Sequence, residues 1–294
     1  MEKLLQWAVN NSDKEQLQKT AEAIRRGEQK PDPKKFDPEI IEAILGKDDA
    51  TRMKEAVQCI VDPEDTVENK EIALDNLELL VEGIDNAKNI ENMKLWPDIL
   101  SQLDADEPAV RKGVAWVCGT AVQNNLEAQR AFLRNNGLEP LVTLLKNEKN
   151  KEVRAKVQYA ISGFLKHFPE GVEAFKKLDG FRVLVDIVKA AEDPAIRRKV
   201  VFSLNSLMIE NDSLAAYLAS MGIVEDLDAI IARYTKQEED EDMVEKALRT
   251  LHTLTTQTKT VLSEQTKKDI VEARDKYGAE NLGLDKNEWN DLLL

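Results

Sequence analysis

Apolar side chains recur along this chain in stripes of helical spacing. From Pro194 to about Met208 they fall at Ile196, Val200, Val201, Leu204, Leu207 and Met208, which lines one face of a helix with about 3.6 residues per turn. A polar break at Asn211 to Ser213 follows, then a short helix carrying Tyr217 and Leu218, then a medium helix that starts at Ile223. Gly222 lies between the last two, where a left-handed residue after a C-cap is expected and glycine enters without a Cβ clash. Asp193-Pro194 and Glu107-Pro108 open long helices, with proline where its missing N–H costs nothing. No segment alternates with the period of a strand, so the pattern predicts an all-α protein.

The same grammar repeats. Val67, Val110, Val153 and Ile196 are each 43 residues apart, and each precedes a helical apolar stripe. Phe132 and Phe175 are 43 apart with Tyr217 a further 42 along, and Gly137, Gly180 and Gly222 follow the same spacing. Pro97 and Pro140 add another 43. A long, short and medium helix within such a period is the armadillo/HEAT pattern, and the glycine before the medium helix favours armadillo. The expected fold is an armadillo-repeat superhelical solenoid with helical N- and C-terminal caps, because a stack of repeats otherwise leaves its end faces bare.

Domain organisation follows from that register. Residues 1–26 read as a flexible N-terminal segment of one amphipathic stretch or two short ones, and 27–38 as a linker with three prolines. Residues 39–64 are expected to form N-terminal capping helices, near 38–45 and 51–61, and 65–236 four repeats. Residues 237–294 are expected to hold a degenerate repeat and a C-terminal cap containing Leu284 to Leu294 and Trp289. The charge run Lys236 to Asp242 offsets the last repeat and reads as a solvated loop.

Composition removes whole classes of function. Lys and Arg number 41 against 55 Asp and Glu, a formal charge of −14, and no basic stripe exists to neutralise phosphates. Nucleic acid and anionic membrane are therefore not expected partners, whereas a basic or mixed protein surface is. The two cysteines, Cys59 and Cys118, have neither disulfide-framework nor metal-ligand spacing, and Cys118 lies in an apolar run that reads as core. The start of the chain lacks a signal-peptide core, and no stretch approaches the roughly 18 apolar residues of a spanning helix. A cytoplasmic location is expected. His167 and His252 fall in different repeats without a partner at ligand spacing, and Gly46-Lys47 lacks a glycine-rich phosphate loop. Asp285 to Asp291 lacks the turn glycine of a calcium loop. No catalytic residue, metal or cofactor is expected, and the chain reads as a binding protein rather than an enzyme.

Armadillo proteins that grip extended peptides carry a Trp-Ala-Leu-Ser-Asn-type motif on the long helix lining a concave groove. The matching stretches here are Trp116 to Thr120, Tyr159 to Gly163 and Phe202 to Ser206. The aromatic column persists, as core or as binding surface. The asparagine column reads Thr120, Gly163 and Ser206; an asparagine amide both donates to and accepts from a peptide unit, and glycine does neither. Extended-peptide capture is thereby demoted, and an adaptor for another protein or peptide stays as the alternative reading.

The chain resembles the armadillo-type nucleotide-exchange factors of the heat-shock-protein-70 chaperones, in particular their fungal cytosolic branch. The opening Met1 to Ser12 is similar to that family's N-terminal signature. Leu74 to Leu77, Ile84 to Ala87, Gly119 to Asn124, Leu178 to Leu184 and Ser220 to Val224 are further matches in order. The resemblance spans about residues 1–230. It implies a co-chaperone that embraces one lobe of the chaperone's ATPase domain, collides with the other lobe, and so accelerates ADP release and client release. It also implies that the N-terminal segment, through Leu4, Leu5 and Trp7, acts on the chaperone's substrate-binding domain as a client mimic; a helix that merely docks on the first repeat is the alternative. By family position the partner contacts are Asp85, Asn86 and Ala87, then Gln123, Asn124 and Asn125, then Lys166 and Arg198. Arg154 and Arg197 are expected to act within the solenoid. A chain with both ends capped is expected to be a monomer.

Overall fold

The computed structural model describes residues 14–27, 46–190 and 193–293. The chain divides into two compact units, Met1–Glu55 and Ala56–Leu294. In the first, the described residues form helix α1 (Lys14–Arg25) and the start of helix α2 (Asp49–Val61), which continues into the second unit. Asp48 caps α2 by accepting from the Thr51 amide at 2.9 Å and the Thr51 hydroxyl, and these hydrogen bonds hold its carboxyl below the ordinary range. The expected helix near 38–45, most of the proline linker, and Leu4, Leu5 and Trp7 lie outside the described residues.

The second unit is a succession of helix triplets. They are α3 (Val67–Val81), α4 (Ile84–Asn92) and α5 (Trp96–Ser101); α6 (Pro108–Val122), α7 (Leu126–Arg134) and α8 (Leu138–Asn147); and α9 (Lys151–Leu165), α10 (Pro169–Lys177) and α11 (Gly180–Lys189). Then come α12 (Pro194–Glu210), α13 (Asp212–Ala219) and α14 (Ile223–Lys236), and finally α15 (Glu241–Thr258), α16 (Glu264–Tyr277) and α17 (Lys286–Leu293). Each long helix packs against the long helix of the next triplet, α3 on α6, α6 on α9, α9 on α12 and α12 on α15. Among the described residues there is no strand.

The apolar stripes are what the stacking buries. Val110, Val153 and Ile196, which mark the period, are all in the core with Val114, Val157, Ile161, Val200 and Leu204. A chain of ring contacts links one triplet to the next: Trp96 edge-on to Phe132 and Phe132 tilted against Phe164, each 5.4 Å between centroids. Phe175 meets Phe181 at 4.9 Å, and Phe181 meets Tyr217 at 6.0 Å. Cys118 is fully buried, and burial pushes its thiol up to about 12. Leu284, Trp289 and Leu292 are buried at the C-terminal end.

The repeated glycines serve two different needs. Gly222 has φ +86°, the left-handed conformation expected of it. At the two earlier positions the left-handed residue is the one before, Asn136 or Asp179, and the glycine is required by space. A Cβ on Gly137 would lie 2.4 Å from the Phe132 ring, and one on Gly180 2.3 Å from the Phe175 ring. Phenylalanine and glycine therefore recur together because the ring of the short helix sits over the first turn of the medium one.

Polar staples bind neighbouring triplets and carry the repeat period in their spacing. Thr120 to Glu78, Asn125 to Ile84, His167 to Glu210 and Gln158 to Ser203 join residues 41 to 45 apart. Gln129 donates to the last carbonyls of α9, those of Gly163, Phe164 and Lys166, at 2.9–3.2 Å. Arg111 holds the approach to α6 through the carbonyls of Ala105 and Asp106, and pairs with Glu148 at 2.7 Å. Burial alone would raise the Glu148 carboxyl; hydrogen bonds from the Asn150 amide and the Arg111 guanidinium outweigh it and hold the group below its ordinary 4.5. The acidic run before α15 is likewise tied down: Asp240 caps α15 by accepting from the Met243 amide at 3.0 Å and pairs with Arg198.

Two outcomes follow. Gly180→Ala should cost about 1–3 kcal/mol in urea unfolding through overpacking against Phe175, and that cost should shrink in a Phe175→Leu background. Glu148→Gln should destabilise by about 1–2 kcal/mol at neutral pH. Because the folded carboxyl is depressed, its stabilisation is present above the ordinary carboxylate range and is lost as pH falls through the depressed value. Thermal melts of wild type and variant should therefore converge in acid.

Candidate partner-binding site

Exposed side chains of the long helices are the first surface to consider, because their other sides are consumed by stacking. On α3 the exposed stripe carries Ile72, Asp75, Asn76 and Leu79, and on α12 it carries Phe202 and Ile209. On α6 and α9 the corresponding positions are half-buried and include Trp116, Thr120, Lys156 and Tyr159.

The aromatic column divides along its length. Trp116 and Tyr159 are half-buried, whereas Phe202 is 57% exposed, so only the last ring projects freely. Of the three positions that replace asparagine, two are already engaged. Thr120 donates its hydroxyl to the buried Glu78 at 2.7 Å, and Ser206 donates to the Phe202 carbonyl at 3.2 Å. Gly163 has no side chain to offer, although a Cβ there would be in ordinary contact, 3.4 Å from the Gly119 carbonyl on α6. Gly119 in turn lets α9 approach, since a Cβ on it would meet the Tyr159 ring at 2.5 Å. The demotion of extended-peptide capture thus has a structural reason on α6 and α12, and on α9 it rests on the missing side chain.

Of the expected contact residues, the first two clusters come together. Asp85, Asn86 and Ala87 form the first turn of α4, and Asn125 caps α7 beside it. Asp85 is exposed; Asn86 is half-buried and donates to the Leu80 carbonyl at 2.9 Å. Ala87 is a correction to the expected surface position: it is 2% exposed and packs in the core, so its small side chain serves helix packing. Asn125 is a second correction, 4% exposed, donating to the Ile84 carbonyl at 3.1 Å while accepting from the Ala128 amide at 3.3 Å. Gln123 and Asn124 are exposed, Asn124 in a left-handed turn at φ +52°. Gln123 accepts from the Tyr159 hydroxyl at 2.9 Å.

The third cluster separates. Lys166 is exposed and caps α9. Arg198 is half-buried and pairs within the chain with Asp240 and Asp242, so it is not the free cation expected. Arg197 does act inside the solenoid, buried and donating to the Tyr234 hydroxyl at 3.2 Å. His167 is in the left-handed conformation after α9, with its ring 3.2 Å from Glu210 rather than at the helix carbonyls. Sequence reading missed Lys156, whose ammonium lies 3.2 Å from the centroid of the Trp116 ring. Burial holds its pKa below that of an ordinary lysine, with Glu78 opposing. The signal was available, since Lys112, Lys156 and Lys199 follow the repeat register.

With this geometry in place, known proteins can be compared with the chain. Residues 1–90 match the family described as nucleotide exchange factor Fes1, and residues 86–228 match the SIL1/FES1/HPBP1 C-terminal domain. Over these stretches the chain is similar to exchange factors of the Fes1 kind. The Hsp70 nucleotide exchange factor FES1 of Scheffersomyces stipitis is 44% identical over 172 residues, covering 57% of this chain and 56% of that protein. Its namesake from Schizosaccharomyces pombe is 45% identical over 142 residues, covering 48% and 50%. The Saccharomyces cerevisiae protein is 40% identical over 173 residues, covering 57% and 56%. The matched stretch spans about half the length of these curated relatives. Among solved structures, a designed armadillo repeat protein in complex with the peptide (KR)4 superposes with a TM-score of 0.63 at 16% identity, covering 82% of this chain and 96% of that one. An engineered protein does so with a TM-score of 0.62 at 18% identity, covering 81% and 95%. At such identities the likeness concerns fold alone, and that fold is the all-α armadillo solenoid.

Burial separates the two kinds of site residue experimentally. Asp85→Arg should leave the unfolding free energy within about 0.5 kcal/mol of wild type. Ala87→Arg should lower it by several times that amount, because it forces a charge into the core. Urea titrations of the two variants make the comparison.

Proposed function

We propose that the protein is a nucleotide-exchange factor that binds the ATPase domain of a cytoplasmic Hsp70 and accelerates ADP release, with client release as the consequence. The observation that carries this reading is the match of residues 1–228 to the exchange-factor family, with relatives named as Hsp70 exchange factors at 40–45% identity. The solenoid supports it by offering a stack of rigid helices with one long-helix stripe left uncovered.

The mechanism makes and breaks no covalent bond. The solenoid holds one lobe of the ATPase domain, and its bulk meets the opposite lobe when the nucleotide cleft is closed. The complex therefore favours the opened cleft, and exchange accelerates only as far as the open state is bound more tightly than the closed one. A stiff partner is essential, since a solenoid that bent as easily as the cleft closed would select nothing. The polar staples between triplets and the ring chain through Phe132 and Phe164 supply that stiffness. The N-terminal segment, with Leu4, Leu5 and Trp7, engages the substrate-binding domain as a client mimic in this reading. The factor acts as a monomer. Among the exposed expected contacts, Asp85, Gln123, Asn124 and Lys166 are the ones available to the chaperone without unfolding the solenoid.

Stopped-flow release of a fluorescent ADP analogue from a cytosolic Hsp70 tests the reading. Wild type should accelerate release on the order of tenfold or more, and Asp85→Arg should reduce that acceleration while remaining folded. A folded wild-type protein that leaves the release rate unchanged would return the chain to the adaptor class.

A further inference from the structure

The outward stripe of α6, α9 and α12, half-buried on the first two and exposed on the third, carries a second column beside the aromatic one. Lys112, Lys156 and Lys199 are 44 and 43 residues apart, and each precedes its helix's aromatic residue, Trp116, Tyr159 or Phe202, by three or four positions. Residues three or four apart share a helix face, so cations and rings alternate across the three repeats. In a chain with 55 acidic residues against 41 basic ones, a surface lysine readily finds a carboxylate. Lys112 does, pairing with Glu152 at 3.4 Å. Lys156 and Lys199 do not: among the described residues neither has a carboxylate within 4.0 Å. Lys156 instead rests on the Trp116 ring, 3.2 Å from its centroid and 5.9 Å from that of Tyr159. Burial weakens its charged form most, and Lys199 and Lys112 repel it as well. The nearest relief comes from Glu78 and Asp75 on α3, and Glu78 is already occupied by the Thr120 hydroxyl.

We propose that Lys156 and Lys199, framed by Trp116, Tyr159 and Phe202, form a docking surface that reads carboxylates on a folded acidic face of the Hsp70 ATPase domain. This rests on the exchange-factor reading above and assigns the chemistry of the contact. A carboxylate approaching Lys156 from the side opposite the indole completes a cation that now rests on a ring with no carboxylate within 4.0 Å among the described residues. The exposed Phe202 closes the contact at one end with apolar area. A folded face is favoured over an extended peptide because Thr120, Gly163 and Ser206 leave no group to grip a peptide backbone. Net repulsion between this acidic chain and an acidic partner would be lowest along this stripe, which gives the docking its register.

The test uses the full-length chain and intact ADP-bound Hsp70, with affinity measured by titration calorimetry at low and high salt beside the release assay. Lys156→Glu/Lys199→Glu should weaken binding on the order of tenfold or more and flatten its salt dependence. Lys156→Met, which keeps a side chain over Trp116, should weaken it less. Lys146→Glu/Lys149→Glu, with the same net charge but located at the exposed α8–α9 connection, should bind like wild type. Melting curves of every variant should match wild type. If wild type accelerates release and the folded Lys156→Glu/Lys199→Glu variant binds equally well, the docking surface is overturned and the exchange function stands. If wild type neither binds nor accelerates release, both are overturned. An oligoglutamate peptide that binds wild type as tightly as Hsp70 does would overturn the assignment to a folded face.

Discussion

Everything in this molecule depends on one constraint: a helix triplet of this length cannot bury its own long helix and must borrow a neighbour to do so. Val110, Val153 and Ile196 are buried because the next triplet covers them, and the repeat period is the distance in sequence at which that cover returns. Close packing then dictates composition at particular points. The short helix of a repeat presents a phenylalanine to the first turn of the medium helix, and glycine is what that turn can afford without displacing the ring. Gly119 does the same between two long helices, which is why Tyr159 can lie so near α6.

Stacking also decides what its polar groups do. Asn125, Gln129, Arg111 and Arg198 are residue types that recognise partners elsewhere, yet here each satisfies a carbonyl or a carboxylate in an adjoining part of the solenoid. Helix ends leave carbonyls and amides unsatisfied, and a stack brings many such ends together away from water. Staples made at those ends turn a string of triplets into a stiff body. Stiffness is the property that a conformer-selecting partner needs, so the same hydrogen bonds that stabilise the fold serve the proposed exchange mechanism.

The electrostatic pattern runs against the average of the chain. Acidic residues dominate overall, and most cations near the repeat junctions are neutralised by neighbours. On the long-helix stripe this compensation weakens: Lys112 is still paired, whereas the Lys156 ammonium rests on the Trp116 ring. Such a surface combines apolar area, which supplies affinity, with uncompensated charge, which supplies orientation. The replaced asparagine column fits the proposed docking, because backbone-gripping groups have little use on a surface built for a folded domain.

Fold class, repeat period, the proline-led helix starts and the left-handed Gly222 were all legible in the amino-acid order, because each depends on residues within a turn or two of one another or on a pattern that simply recurs. Family resemblance was legible for the same reason, as short stretches in a fixed order. The tertiary structure alone decided which candidate residues face outward. Asp85 and Ala87 are two positions apart on one helix turn, and only the neighbouring core determines that the first is wet and the second dry. Arg198 looked free because its carboxylates are more than forty residues away, and Lys156 looked ordinary because its indole is forty residues upstream. In a solenoid the contacts that decide a side chain's role come from the next repeat, and local sequence is silent about those.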